Sequence, residues 1–195
     1  LPNTDLSRFD CVFVCDVGLV SEREAEQLDA YVKSGGGVVW CLGENVQPDV
    51  YNRVLFRDGQ GLLPARLVAR KTSDDETPQP FGFDPLDYQH DLVKPFRGNP
   101  NTGLLTARTI NYVRTELTAN STSRVALAFA SGDPAIVSQP VGRGQSVLVT
   151  TTVDPRWGNW PISPSFVPVV QELVLFASAG RFSERQRLVG EPLSQ

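Results

Sequence analysis

The first part of the chain alternates apolar runs with an amphipathic stretch, in the order of a strand-helix-strand unit. Asp10 to Val17 is a short apolar run typical of a buried parallel strand. Ser21 and Glu24 have the spacing of a capping box, and apolar residues then recur at helical spacing. Val38 to Leu42 is the next buried strand. The pattern therefore predicts two adjacent parallel strands joined by a crossover helix over Ser21 to Lys33.

Three more apolar runs occur later, separated by short polar turns. They are Arg124 to Ala130, Ala135 to Val141 and Ser146 to Val153, and turns of this length suit antiparallel hairpins. A last amphipathic pattern, from Ser163 or Ser165 to Gly180, predicts a helix that covers the sheet. The fold class predicted from these patterns is α/β, with a mixed sheet that includes C-terminal antiparallel hairpins.

The middle of the chain has weaker patterns. Pro48 to Phe56 predicts a short helix, and Ala65 to Ala69 predicts a strand. Arg70 to Pro80 is charged and has no apolar side chain to bury, which predicts a mobile surface loop. Phe81 to Pro100 mixes aromatic and turn residues, which predicts an irregular segment packed over an edge of the sheet.

Composition narrows the class of protein. The chain has 195 residues, 41% of them hydrophobic, which fits one ordinary soluble domain. The formal net charge is −4, and Lys and Arg are scattered, so neither nucleic acid nor an anionic membrane surface is an expected partner. Residues 1–180 are expected to form the domain. Residues 181–195 are expected to be a polar tail that packs little and leads toward a missing downstream domain.

Cys41 is the first candidate for chemistry, because it ends a buried strand as a nucleophile does on a strand-to-helix elbow. Val39 stands where the first glycine of such an elbow is needed, and its β-branched side chain resists the strained conformation. The sequence therefore favours Cys41 as a buried core thiol. Cys11 and Cys15 are predicted to be small buried hydrophobic residues, and no metal or cofactor site is indicated by the cysteine spacing.

His90 is the only histidine, so any cysteine–histidine pair must use it. It precedes Asp91 and Leu92 and lacks the His-x-Glu spacing of an amidotransferase base and its orienting carboxylate. The favoured prediction is a capping or hydrogen-bonding histidine. No catalytic residue is therefore predicted, and Cys41 with His90 is the weak alternative.

Trp157 and Trp160 are weak candidates for a ligand-binding groove. With Pro155 and Pro161 beside them, they could line a site for a carbohydrate or a peptide, although a rigid aromatic lid over the sheet is favoured. Gly142-Arg143-Gly144 is predicted to be a hairpin turn and not a phosphate cradle, because no helix follows it.

Four segments carry a resemblance to a known family: Leu28 to Gly43, Tyr51 to Leu67, Ala130 to Gln145 and Trp157 to Val174. They resemble a domain of large bacterial membrane proteins similar to the aerotolerance (BatA-type) family, whose members often carry a von Willebrand factor type A domain. The most specific segment is Trp157 to Pro168. The resemblance implies a flavodoxin-like, class I glutamine amidotransferase-like three-layer sandwich. It also implies a membrane-anchored parent protein, with this domain on the periplasmic side.

Three functions remain open. The favoured one is a non-catalytic amidotransferase-like interaction or scaffold domain with a protein partner, attached to the membrane only through absent segments. The second is a cysteine-dependent glutamine amidotransferase or hydrolase that uses Cys41 and His90. The third is a ligand-binding module, for a cell-envelope glycan or a peptide, that uses the tryptophan segment.

Overall fold

The computed structural model describes residues 4–73 and 79–185, which form a mixed sheet of seven strands, a separate pair of strands and three α-helices. The strands are β1 (Cys11–Cys15), β2 (Gly37–Cys41), β3 (Arg66–Thr72), β4 (Phe81–Asp84), β5 (Arg108–Thr109), β6 (Asn111–Glu116), β7 (Arg124–Phe129), β8 (Pro134–Val141) and β9 (Gly144–Val149). The helices are α1 (Glu22–Lys33), α2 (Pro48–Tyr51), which continues as a π-helical turn, and α3 (Phe166–Arg185).

The seven strands lie in the order β1-β2-β9-β8-β7-β4-β5, and β3 pairs with β6 in the second sheet. Strands β1, β2 and β9 are parallel, and the remaining pairs in both sheets are antiparallel. The prediction that the first two strands are adjacent and parallel, with α1 between them in the chain, is confirmed.

Helix α1 begins and ends where its sequence requires. The Ser21 hydroxyl accepts a hydrogen bond from the Glu24 backbone N–H, and the Glu24 carboxylate accepts from the Ser21 N–H, which completes the capping box. Gly35 follows the helix with φ of 111°, a conformation that side-chain-bearing residues rarely adopt. Leu28 and Val32 are four residues apart, so they lie on one face of the helix, and both are buried in the core.

Strand β2 separates two hydrophobic cores. Val38 and Trp40 pack with α1, α2 and β3 on one face of the sheet. Val39 and Cys41 point to the opposite face, into a core that α3 and the segment between β4 and β5 cover. All five residues of β2 are buried, so this strand lies at the centre of the molecule.

The predicted three-layer, flavodoxin-like sandwich is wrong. Such a sandwich has helices packed over both faces of a mostly parallel sheet. Here four of the seven strands join the sheet antiparallel, the sheet curls into a half-barrel, and helices are few. The β3–β6 pair packs into the core through Leu67 and Val113, and many of the connections are single turns of 3₁₀-helix. The strand-helix-strand unit at the start of the chain does not repeat.

The predicted loop at Arg70 to Pro80 is wrong at its start. Strand β3 continues to Thr72 and pairs with β6 as far as Asn111, and the Ser73 N–H donates to the Ile110 carbonyl at 2.8 Å. Ladder hydrogen bonds use backbone groups, so charged side chains do not prevent them. Residues 74–78 lie outside the described residues.

Helix α3 continues past Gly180 to Arg185. Arg181 packs on the domain, because its guanidinium lies over the Tyr31 ring and donates to the Ser7 carbonyl at 2.6 Å. The weak packing expected from residue 181 onward is therefore wrong at Arg181, and residues 186–195 lie outside the described residues. Within the described ranges, no helix combines the length and apolar character needed to cross a bilayer.

Candidate functional site

Cys41 lies at the end of β2, directly opposite Cys15 at the end of β1. Its side chain is buried in the core, with a relative exposure of 1%, whereas Cys15 on the neighbouring strand is exposed. The hydrogen bond between the two thiols lowers the pKa of Cys15 to about 7 and, together with burial, raises the pKa of Cys41 well above its usual value. Cys41 is therefore the less activated of the two thiols.

His90 has both ring nitrogens occupied. Nδ1 accepts a hydrogen bond from the Leu92 backbone N–H at 3.2 Å, so this nitrogen carries no proton. In the neutral ring the proton is then on Nε2, which lies 2.8 Å from the Ser138 hydroxyl and donates to it. Burial lowers the pKa of His90 and favours the neutral ring. Because the lone pair that could accept a proton is already used, His90 has no free basic nitrogen to offer a nucleophile.

The sheet keeps Cys41 and His90 apart. Cys41 pairs with Val149 on β9, and Val149 pairs with Ile136 on β8. Ser138, which holds His90, lies two positions further along β8, and two strand spacings of about 4.8 Å each separate β8 from β2. The hydrogen bonds of His90 go to Ser138 and Leu92 and not to the thiol. The cysteine–histidine pair weighed from the sequence is not assembled.

Trp157 and Trp160 are both buried. The Trp160 ring packs edge-on against Phe83 at 5.1 Å and Phe166 at 5.5 Å between centroids. The Trp157 side chain belongs to the core on the α1 face of the sheet, and its carbonyl accepts from the Ile110 backbone N–H. These contacts occupy the surfaces that a sugar or peptide would need, which supports the interpretation of the segment as an aromatic lid.

A polar pocket of about 470 Å³ lies beside His90. Its walls come from four parts of the fold: the segment around His90, the connection into β7, the β8–β9 hairpin and Phe176 of α3. Arg124, at the start of β7, is exposed in this pocket and forms no ion pair within the described part of the chain. Asp91 also lines the pocket, and it pairs with Lys94 at 3.8 Å. Of the charged residues that line this pocket, Arg124 is therefore the one without an ion pair in the described part of the chain.

A second polar network lies at the carboxyl ends of β1 and β2. Asp16 adopts φ of 50° and accepts from the Asn45 backbone and side-chain N–H groups at 2.8 and 2.9 Å. Arg156 reaches Asp16 at 3.2 Å and forms a closer pair with Asp154. A Cβ on Gly43 would come within 2.3 Å of Asp16, so glycine is needed there. Every group of this network is paired, which indicates a structural role.

Two other candidates give no site. Gly142 and Arg143 form the tight turn between β8 and β9, as predicted, with φ of 59° at Gly142. Asp74 to Glu76 are an acidic run that could bind a cation but lacks the spacing of a calcium loop, and they lie outside the described residues. Across the residues that the structure describes, no cluster of His, Cys, Asp and Glu could hold a metal ion.

No protein-family model matches the sequence, and no curated protein matches it. Several solved structures share the fold. Cytoplasmic protein STM3548 of Salmonella typhimurium superposes with a TM-score of 0.67 at 18% identity, over 88% of this chain and 73% of that one. Cytoplasmic protein STM1381 of the same species gives 0.61 at 19% identity, over 90% and 72%. A β-galactosidase from Rahnella sp. R3 gives 0.55 at 17% identity, over 99% of this chain but 25% of that one.

At these identities the likeness establishes the fold alone, and it corrects two expectations. The similar structures are not described as amidotransferases or flavodoxin-like proteins, so the amidotransferase-like description of the domain is not supported. Both Salmonella proteins are described as cytoplasmic, which contradicts the expectation of a periplasmic domain in a membrane-anchored protein. The chain spans only about a quarter of the β-galactosidase.

Sequence reasoning missed three residues of interest. Cys15 is exposed, which contradicts its prediction as a buried residue, and its position opposite Cys41 on the next strand pairs the two thiols. Ser138 and Arg124 come together with His90 only because β7 and β8 form a hairpin beneath it. His90 and Ser138 are 48 residues apart, and no local pattern signals their contact.

Proposed function

We propose that this chain is a non-catalytic interaction or scaffold domain that acts by binding a protein partner. One observation carries the proposal: the two groups that could have formed a catalytic pair are each in an inactive state. Cys41 is buried and its pKa is raised, and His90 uses both ring nitrogens in hydrogen bonds. A cysteine nucleophile needs a thiolate and a nearby oriented base, and neither is present at Cys41.

Exposed apolar side chains on α3 and just before it support a protein partner. Ile162, Val167 and Leu175 are 76%, 62% and 54% exposed. Each exposed apolar side chain gains free energy when another protein surface covers it. The occupant we propose is a folded domain with its own apolar face, because in the Rahnella β-galactosidase the matching part is about a quarter of a longer chain.

We also propose a cellular location for the domain. The descriptions of the two Salmonella proteins favour a cytoplasmic location, where three free cysteines would stay reduced. The resemblance of Trp157 to Pro168 and the other three segments to the aerotolerance (BatA-type) family remains a proposal about ancestry.

The absence of amidotransferase chemistry is tested by measuring ammonia release from glutamine. We expect no release above the buffer rate, and the same result for Cys41→Ala and for Cys11→Ala as a matched control. Glutaminase activity that disappears in Cys41→Ala and persists in Cys11→Ala would overturn the non-catalytic assignment.

The partner surface is tested by photo-cross-linking in cells that make the protein. A photoreactive residue at position 167 should give one discrete adduct, and adding Leu175→Glu should abolish it. The same group at Arg114, which is exposed on β6, serves as the control and should give no such adduct. Adducts that are the same at both positions, or that are unaffected by Leu175→Glu, would contradict this use of α3.

A further inference from the structure

We propose that the pocket beside His90 is a binding site for a small organic oxyanion, a carboxylate or a phosphate ester, held by Arg124 and by the hydroxyl of Ser138. This ligand site goes beyond the protein-interaction role and does not depend on it. The shape of the pocket, the direction of its hydrogen bonds and its charge support this assignment.

The pocket has the size of a small-molecule site. Its volume of about 470 Å³ lies within the usual range for ligand pockets, roughly 300 to 1,000 Å³. Its walls come from four separate parts of the chain, so the fold as a whole fixes its shape. Phe176 and Pro140 add apolar surface beside the polar groups. An organic anion can use both kinds of wall.

The floor of the pocket offers an unused hydrogen-bond donor. Ser138 is 3% exposed, and its hydroxyl oxygen accepts from Nε2–H of His90. The opposite arrangement, with Ser138 donating to Nε2, would require a proton on Nδ1, and the Leu92 N–H already points at that nitrogen. The Ser138 proton is therefore left for another acceptor, and no acceptor for it is found in the part of the chain that the structure describes. A buried donor without a partner is costly, and a ligand oxygen would satisfy it.

The charge of the pocket selects an anion. Among the described residues, Arg124 is the only cation that lines the pocket. Its position on β7 directly opposite Ser138 on β8 places it beside His90. The lining carboxylate, Asp91, is paired with Lys94. Arg124 can therefore turn its planar group of donors toward a carboxylate or a phosphate, which it binds through two parallel hydrogen bonds. The hydroxyls of Ser121 and Thr122 add further donors.

The single histidine provides a direct reporter. The ring nitrogens of His90 give one set of signals in a long-range ¹H–¹⁵N spectrum, and the same spectrum reads the tautomer. The free protein should show a neutral ring protonated on Nε2. Citrate, succinate, glucose 6-phosphate and galactose are then titrated separately, to about 10 mM each, which covers weak millimolar binding.

We expect at least one of the three anions to shift the His90 signals saturably and galactose to leave them unchanged. Citrate or succinate as the binder identifies a carboxylate ligand, and glucose 6-phosphate alone identifies a phosphate ester. Arg124→Gln should weaken binding about tenfold or more, because it removes a charge-assisted pair. The matched control Arg114→Gln, which removes the same charge on the distant strand β6, should bind as the unmodified protein does.

Ser138→Ala tests the hydroxyl separately and should weaken binding while the His90 ring stays neutral. Circular dichroism and the unaltered remainder of the spectrum check that each variant is folded. Three outcomes would overturn the proposal: no anion shifts the His90 signals, galactose binds as well as the anions do, or Arg124→Gln binds no more weakly than Arg114→Gln.

Discussion

The thiols give the sharpest prediction, because two of the three cysteines differ greatly in pKa. When the folded protein is treated with iodoacetamide at neutral pH, Cys15 should be alkylated first. It is exposed, and the hydrogen bond from the Cys41 thiol lowers its pKa to about 7. Burial raises the pKa of Cys11 to about 11. Cys41 is buried as well, so the reagent cannot reach it without local opening.

The size of the difference follows from the two pKa values. At about pH 7, roughly half of Cys15 is thiolate, against about one part in ten thousand of Cys11. A thiolate of lower pKa is a weaker nucleophile, and a Brønsted slope of about 0.4 to 0.5 reduces the advantage by roughly 60-fold. Cys15 should therefore react about 100 times faster than Cys11. Cys41 should be slower still.

Mass spectrometry of peptides after timed labelling measures the three rates. In urea the rates should converge, because the unfolded thiols share one environment. Cys41→Ala removes the hydrogen bond that stabilises the Cys15 thiolate, so Cys15 should slow by a few-fold at about pH 7. If native Cys41 reacted before Cys15, or if Cys15 reacted at the same rate in Cys41→Ala, the account of the thiol pair would be refuted.

Three other predictions concern stability. Cys41→Ser should lower the free energy of unfolding by about 1 to 3 kcal/mol in urea titrations, because a hydroxyl replaces the thiol in an apolar core; an unchanged midpoint would contradict the buried assignment. Burial lowers the pKa of His90, so the unfolded ring binds protons more readily. The free energy of unfolding should fall as the pH drops below about 6.5, and the contribution of His90 to this fall should be absent in His90→Gln. Equal pH dependence of stability in both proteins would contradict this contribution of His90. Trp160→Ala should lower the free energy of unfolding, measured by thermal unfolding, by about 3 to 5 kcal/mol because the ring is buried. Ile162→Ala, two positions further along and exposed, should lower it by less than about 0.5 kcal/mol.

Local signals in the sequence were sufficient for the start of the chain. The capping box at Ser21 and Glu24 and the apolar run through Val38 to Leu42 act within a few residues, so helix α1 and strands β1 and β2 were predictable. The hairpins β7–β8 and β8–β9 were predictable for the same reason, because tight turns mark them.

Features that depend on distant partners were not predictable. Arg70 to Thr72 has no apolar residue, yet it is strand because β6 supplies backbone partners about 40 positions away. The environment of His90 depends likewise on Ser138 from β8 and Phe176 from α3. The prediction of a three-layer sandwich rests on one strand-helix-strand unit and a resemblance, and one such unit does not determine how the remaining strands join the sheet.

The pairing of β2 with β9 has a consequence for synthesis on the ribosome. The Trp40 indole N–H donates to the Ser146 hydroxyl across 106 residues of chain. At a translation rate of about 5 to 20 residues per second, β9 leaves the ribosome roughly 5 to 20 s after β2 does. During that interval β2, all five residues of which are buried in the folded domain, has β1 but not β9 beside it. A nascent chain of this protein should therefore be a chaperone substrate until β9 emerges, and slow codons before β9 should lower its soluble yield.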